Sequence, residues 1–123
     1  MNGELLLQEA QGHEQELVEK RHYLHRHAEL GFDLKETVAF VKAELTAMGY
    51  EPKDCGKAGV VVTAGGKKPG KVFLIRGDMD ALPMHEESGV DFASETENMH
   101  ACGHDMHATM MLGAAKLLKA HED

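Results

Sequence analysis

The 123-residue sequence has no tryptophan, and a few Phe and Tyr are its only aromatic residues. Basic residues are also scarce. Thirteen Lys and Arg face 21 Asp and Glu, for a formal net charge of -8. Nucleic-acid binding draws its affinity from Lys and Arg neutralising phosphates, and anionic membranes attract polybasic segments. Neither partner is expected here. No apolar run approaches the ~20 residues of a membrane span. The opening MNGELLLQEAQGHEQ has a leucine cluster but neither a basic n-region nor an apolar h-region, so no signal peptide is read. There are only two cysteines, Cys55 and Cys102. Without an export signal a lone pair is expected to stay reduced, and the expected location is cytoplasmic.

What remains is ordinary globular composition, 42% hydrophobic and 28% charged, which argues against disorder. The length suits one modest domain with a single core.

Apolar spacing predicts a helix over residues 8–28, with Leu17, Leu24 and Ala28 near one face. Asp33 and Glu36 have the spacing of a capping box. Val38, Val41, Leu45 and Met48 then recur at helical intervals up to Gly49, predicting a second helix over 34–48. The texture changes at Val60-Val61-Val62-Thr63. A turn-like GGKKPG and the run Lys71–Arg76 follow, which reads as strand, turn, strand. Four consecutive apolar residues at 72–75 predict a strand buried on both faces, as in an α/β sheet. Residues 77–103 read as irregular. A last helix over 104–121 is apolar nearly all round and is expected to be buried.

GGKKPGKV imitates a phosphate-binding loop, but Val72 stands where a hydroxyl should hold magnesium. A strand follows in place of the required helix, so a turn is read instead.

MHACGHDMH, residues 99–107, packs three histidines, a cysteine and an aspartate into nine positions. His100 and His104 have zinc-protease spacing, but Ala101 stands where that motif carries its glutamate base. Cys102 and His104 diverge by roughly 200° on a helix but point the same way in an extended segment. Gly103 favours the latter, and Cys and His are ligands that zinc-like ions prefer. Asp105 is placed either to orient His104 or to cap the following helix. Three readings stay open at this point: a metal site, a Cys–His nucleophile pair, or mere clustering in a chain with nine histidines and a small buried Cys102. A second constellation, RGDMDALP at 76–83, follows the expected buried strand, at the strand end where α/β sheets bind ligands. Asp78 and Asp80 share a face there if the backbone is extended.

HRHAELGF, RGDMDALP and MHACGHDMH, in this order, resemble the metal-dependent amidohydrolases related to aminoacylase and carboxypeptidases. The resemblance is greatest to the hippurate hydrolase and auxin-conjugate hydrolase branch and runs from about Arg21 to Lys119. It implies an α/β fold, part of a three-layer α/β/α metallohydrolase catalytic domain with a mixed sheet. Residues 1–123 would be the N-terminal portion of that domain, without the lid or dimerisation domain. It implies hydrolysis of N-acyl amino acids or small peptides with two divalent ions, zinc or manganese. Cys102 and His104 would be metal ligands and Asp80 the carboxylate that orients a ligand. Asp78 would lie near the site, where related branches carry a metal-binding histidine, and His27 would be structural. Ala28 replaces the family's usual proline, and the usual glycine before MHACGHD is missing. The Glu-Glu pair that would supply the base and the remaining metal-binding histidines have no counterpart in the sequence. The alternative is a shortened, non-catalytic relative that binds metal weakly, or a folding fragment. Unfinished sheet edges make self-association an expectation.

Overall fold

The computed structural model describes residues 2–123. Four helices and a small antiparallel hairpin make up its regular structure: α1 (Gly3–Gly12), α2 (Glu14–Arg26), α3 (Lys35–Ala47), β1 (Lys53–Cys55), β2 (Gly59–Val61) and α4 (His104–Ala120). The elements are those of an α/β fold, as expected. Among the described residues no helix is long and apolar enough to cross a membrane.

The first predicted helix starts earlier and is broken in two. Asn2 caps α1 through its side-chain oxygen, which accepts from the Glu4 amide at 2.9 Å. Gly12, a poor helix former, and His13, with φ -99° and ψ 5°, separate α1 from α2. The buried face of α2 carries Lys20, Leu24 and His25. Lys20 places its ammonium 2.7 Å from both Glu16 and Glu44. Lys116 joins Glu16 at 2.6 Å, tying α2 to α4.

The capping box does not form. Leu34 occupies the cap of α3 without a side-chain bond. Glu29, farther upstream, accepts from the amides of Glu36 at 3.2 Å and Thr37 at 2.7 Å. A carboxylate arriving from the preceding turn thus satisfies the free N–H groups that Asp33 was expected to serve. The far end of α3 is as predicted. Gly49, at φ +99°, donates to Thr46 O and Tyr50 to Leu45 O, the paired bonds of a left-handed glycine stop.

Val41, Leu45, Tyr50 and Leu112 form the core, with Phe40, Met48, Val60, Val62, Met79 and Ala115 packed against it. Burying a side chain such as Leu45 or Leu112 is worth about 1.5–3 kcal/mol.

Three expectations are corrected. β2 pairs with β1, in the register Lys53↔Val61, Asp54↔Val60 and Cys55↔Gly59, and not with the segment after GGKKPG. Residues 71–76 form no strand. Val72, Phe73 and Leu74 are 83–96% exposed and Ile75 is 57% exposed. A strand needs ladder partners for its N–H and C=O groups, and no other segment of the described chain runs beside this one. The third concerns α4, which is buried on one side only, through Asp105, Ala108, Thr109 and Leu112. Met106, Met110 and Leu118 face outward.

Candidate metal centre

Backbone bonds at three points fix the long irregular segment between residues 77 and 103, one of them from Glu95 N–H to Arg26 O at 2.8 Å. Ala81 N–H donates to Glu29 O at 2.7 Å, beside a parallel bridge between Leu30 and Ala81. Leu82 and Met99 exchange bonds of 2.9 and 3.0 Å across an antiparallel bridge. The two motifs RGDMDALP and MHACGHDMH are therefore clipped together. A further close approach completes the arrangement. A Cβ on Gly77 would lie 2.6 Å from Met111 Cγ and 3.2 Å from the His107 carbonyl oxygen. The absence of a side chain lets residues 77–80 lie directly on the first turns of α4.

Gly103 turns the chain into α4 at φ +85°, a conformation that favours glycine. His104 is then the first helical residue and His107 stands one turn on. His104 Nδ1 donates to Asp80 Oδ1 at 2.9 Å. His104 Nε2 lies 3.5 Å from Asp78 Oδ2. His107 Nδ1 donates to Asp78 Oδ1 at 2.6 Å. The His107 hydrogen bond holds the Asp78 carboxyl below its ordinary range. One ligand atom each from Asp78, His104 and His107 lie within 4.8 Å of one another. Asp78 and Asp80 line an open cleft of about 720 Å³ whose walls include β2, Leu74, Ile75 and Leu112.

Cys102 is exposed and free, on the loop just before α4. Its sulfur is not part of the three-residue cluster. Cys55 is also free and exposed, on the hairpin. His27 donates from Nδ1 to the Tyr23 carbonyl at 2.7 Å and stacks on the Tyr23 ring.

Asp105 does not orient His104, and Gly103 caps α4. The wholly buried Asp105 carboxylate accepts from Arg21 Nε and from His25 Nδ1, each at 2.8 Å. On the other side of the imidazole, Glu86 accepts from His25 Nε2 at 2.9 Å. Burial acts to raise the Asp105 carboxyl, but His25 and Arg21 outweigh it and hold it below the usual range. Burial likewise opposes ionisation of Glu86, but bonds from Ser88, the Ser94 amide and His25 hold it at about 2. His100 is buried beside this network, and neither ring nitrogen has a partner among the described residues. Burial lowers its pKa.

Sequence reasoning did not find the roles of His25, Glu86, Arg21 and His107. Only His107 left a local signal, its three-residue spacing from His104 at the start of a predicted helix.

Residues 74–123 match the peptidase family M20/M25/M40. The chain is 42% identical over 110 residues to an N-acyl-L-amino acid amidohydrolase of Geobacillus stearothermophilus, covering 88% of this chain and 30% of that protein. It is 45% identical over 100 residues to the hippurate hydrolase of Campylobacter jejuni, covering 80% of this chain and 26% of that enzyme. Its backbone superposes on a dinuclear metal-binding peptidase of the M20 family from Bacillus subtilis with a TM-score of 0.85 at 36% identity, covering 91% of this chain and 32% of that one. The chain thus spans about a third or less of the length of these relatives. Motifs, sequence matches and superposition agree that the chain is similar to part of the amidohydrolases and peptidases of family M20/M25/M40.

Proposed function

We propose that this chain is the N-terminal portion of the catalytic domain of a metal-dependent amidohydrolase acting on N-acyl amino acids or small peptides. In this reading it supplies the ligands Cys102 and His104 and the orienting carboxylate Asp80. The observation that carries the proposal is the Asp80–His104 pair, whose 2.9 Å bond occupies Nδ1. A carboxylate on one ring nitrogen fixes the tautomer and leaves the lone pair of the other for a metal. The donor set suits the family's divalent ions. Imidazole and thiolate favour zinc, and the carboxylates also admit manganese.

A bound divalent ion supplies Lewis-acid polarisation of the amide carbonyl and a water of lowered pKa. The chain's own residues hold and aim. Asp80 accepts from His104 Nδ1 and leaves Nε2 facing the site, Asp78 adds negative charge beside it, and Gly103 sets the turn from which Cys102 and His104 project. No glutamate in the MHACGHDMH or RGDMDALP segments stands ready to take a proton from the attacking water. We therefore infer that the 123-residue polypeptide alone binds metal weakly and hydrolyses nothing. The test is an assay of the pure chain on N-acyl amino acids with added manganese or zinc. Turnover abolished by a chelator would overturn the inference of inactivity. Failure to bind either metal would overturn the metal reading.

A further inference from the structure

We propose that the open cleft between β2 and residues 72–75 is a slot for one extended strand. Its occupant is the Val72–Ile75 run of a second copy of this chain, which offers its own slot in return, so that two copies close into a dimer.

The slot has two bare walls and an apolar floor. Along one wall β2 borders the cleft of about 720 Å³ and pairs with β1 only, in a sheet of two strands. Along the other stand Leu74 and Ile75, whose segment has no ladder partner among the described residues. Leu45 of α3 and Leu112 and Ala115 of α4 line the space between. Unpaired N–H and C=O groups on facing walls take up an extended segment through main-chain bonds, while the floor covers its side chains.

The run fits that description. Val72, Phe73 and Leu74 are 83–96% exposed, and four consecutive apolar residues suit a strand buried on both faces. The run is also held at both ends. Gly65 upstream donates its N–H to the Glu122 carboxylate at 3.1 Å, and Gly77 downstream lies against Met111 and His107 of α4. It is therefore presented in place, which lowers the ordering cost of pairing. Charge acts in the same direction. Lys71 and Arg76 bound the run, and Asp78 and Asp80 stand at the cleft.

Two-fold symmetry makes the exchange reciprocal. Strand order across the joint becomes β2, the partner's run, the chain's own run and the partner's β2. No open edge remains there to recruit a third copy, whereas simple edge-to-edge pairing leaves one free and grows.

Cysteine pairing tests the exchange in a Cys55→Ser, Cys102→Ser background. Val61→Cys marks the slot. Phe73→Cys and Leu74→Cys mark the run in separate chains, since alternate residues point to opposite faces. All three positions are exposed, so these replacements spare the core. On mild oxidation of mixed chains, one of the two run variants should cross-link to Val61→Cys at least about ten-fold faster than to a Glu14→Cys control on α2, because docking raises the effective concentration. Sedimentation equilibrium of the unaltered chain should level off at twice its 13.5 kDa mass. Masses that keep rising beyond two chains would overturn the closed exchange in favour of open edges. Cross-linking no faster than to the Glu14→Cys control would overturn the slot. A monomer at every concentration would overturn the second copy as occupant and leave the slot to a strand of another polypeptide.

Discussion

His25 stands between two buried carboxylates, with Nδ1 2.8 Å from Asp105 and Nε2 2.9 Å from Glu86. Each carboxylate accepts, so each ring nitrogen donates. The bridge joins α2, the 77–103 segment and the first turn of α4. It therefore holds in place the two motifs that carry the metal-site residues. Replacing His25 with Ala leaves two ionised carboxylates facing each other across a cavity. Breaking a buried pair in this way costs about 3–5 kcal/mol. Urea unfolding of His25→Ala should show a loss of that size. A loss under ~1 kcal/mol would mean that the bridge is not structural.

The same network sets the response to acid. The Glu86 carboxyl falls from 4.5 to about 2 on folding, and the Asp105 carboxyl is lowered too. Carboxylates depressed in the folded state stabilise it above their unfolded pKa. That contribution fades as pH falls from about 4.5 toward 2. For Glu86, whose side chain is 3% exposed, the shift corresponds to on the order of 3 kcal/mol. The urea midpoint should decline through this window. Glu86→Gln should be less stable at neutral pH and flatter below it. Parallel curves for parent and variant would count against the assignment.

Much of this was legible in the sequence, for identifiable reasons. α3 was read almost to the residue, because Val41 and Leu45 keep helical period and Gly49 ends it with a left-handed turn. The proximity of Asp80 and His104 was foreseen only through the resemblance to a known family. A 24-residue separation carries no local signal. The Val72–Ile75 run was misread because four apolar residues predict burial only when other chain is present to cover them. The His25 bridge was invisible for a related reason. Its partners lie 61 and 80 residues away, and a lone histidine reads the same in a core or on a surface.

The exposed run leads to a third prediction. Residues 65–76 carry Lys67, Lys68, Lys71 and Arg76 and no acid, whereas the chain as a whole has net charge -8. An apolar, unpaired segment flanked by positive charge is complementary to the acidic remainder of a second copy. The chain should elute above its 13.5 kDa monomer mass, increasingly so at higher concentration and lower salt. Leu74 is 89% exposed, so Leu74→Lys should leave the fold intact and shift the protein toward monomer. Monomeric elution of the parent at every concentration would end this idea.

Gly77 offers a way to separate the clipped motifs without touching a ligand. A methyl group there would meet Met111 Cγ at 2.6 Å and the His107 carbonyl at 3.2 Å. Met111 is flexible and can move, but the helix backbone cannot, so residues 77–80 must lift off α4. Overpacking of this kind costs about 1–3 kcal/mol. Asp78 and Asp80 would move away from His107 and His104 together. Gly77→Ala should therefore weaken metal binding several-fold while retaining helical circular dichroism. Calorimetric titration with zinc would measure the change. Undiminished affinity in a folded Gly77→Ala variant would mean that neither aspartate takes part in holding the ion, and that the site depends on His104 and Cys102 without them.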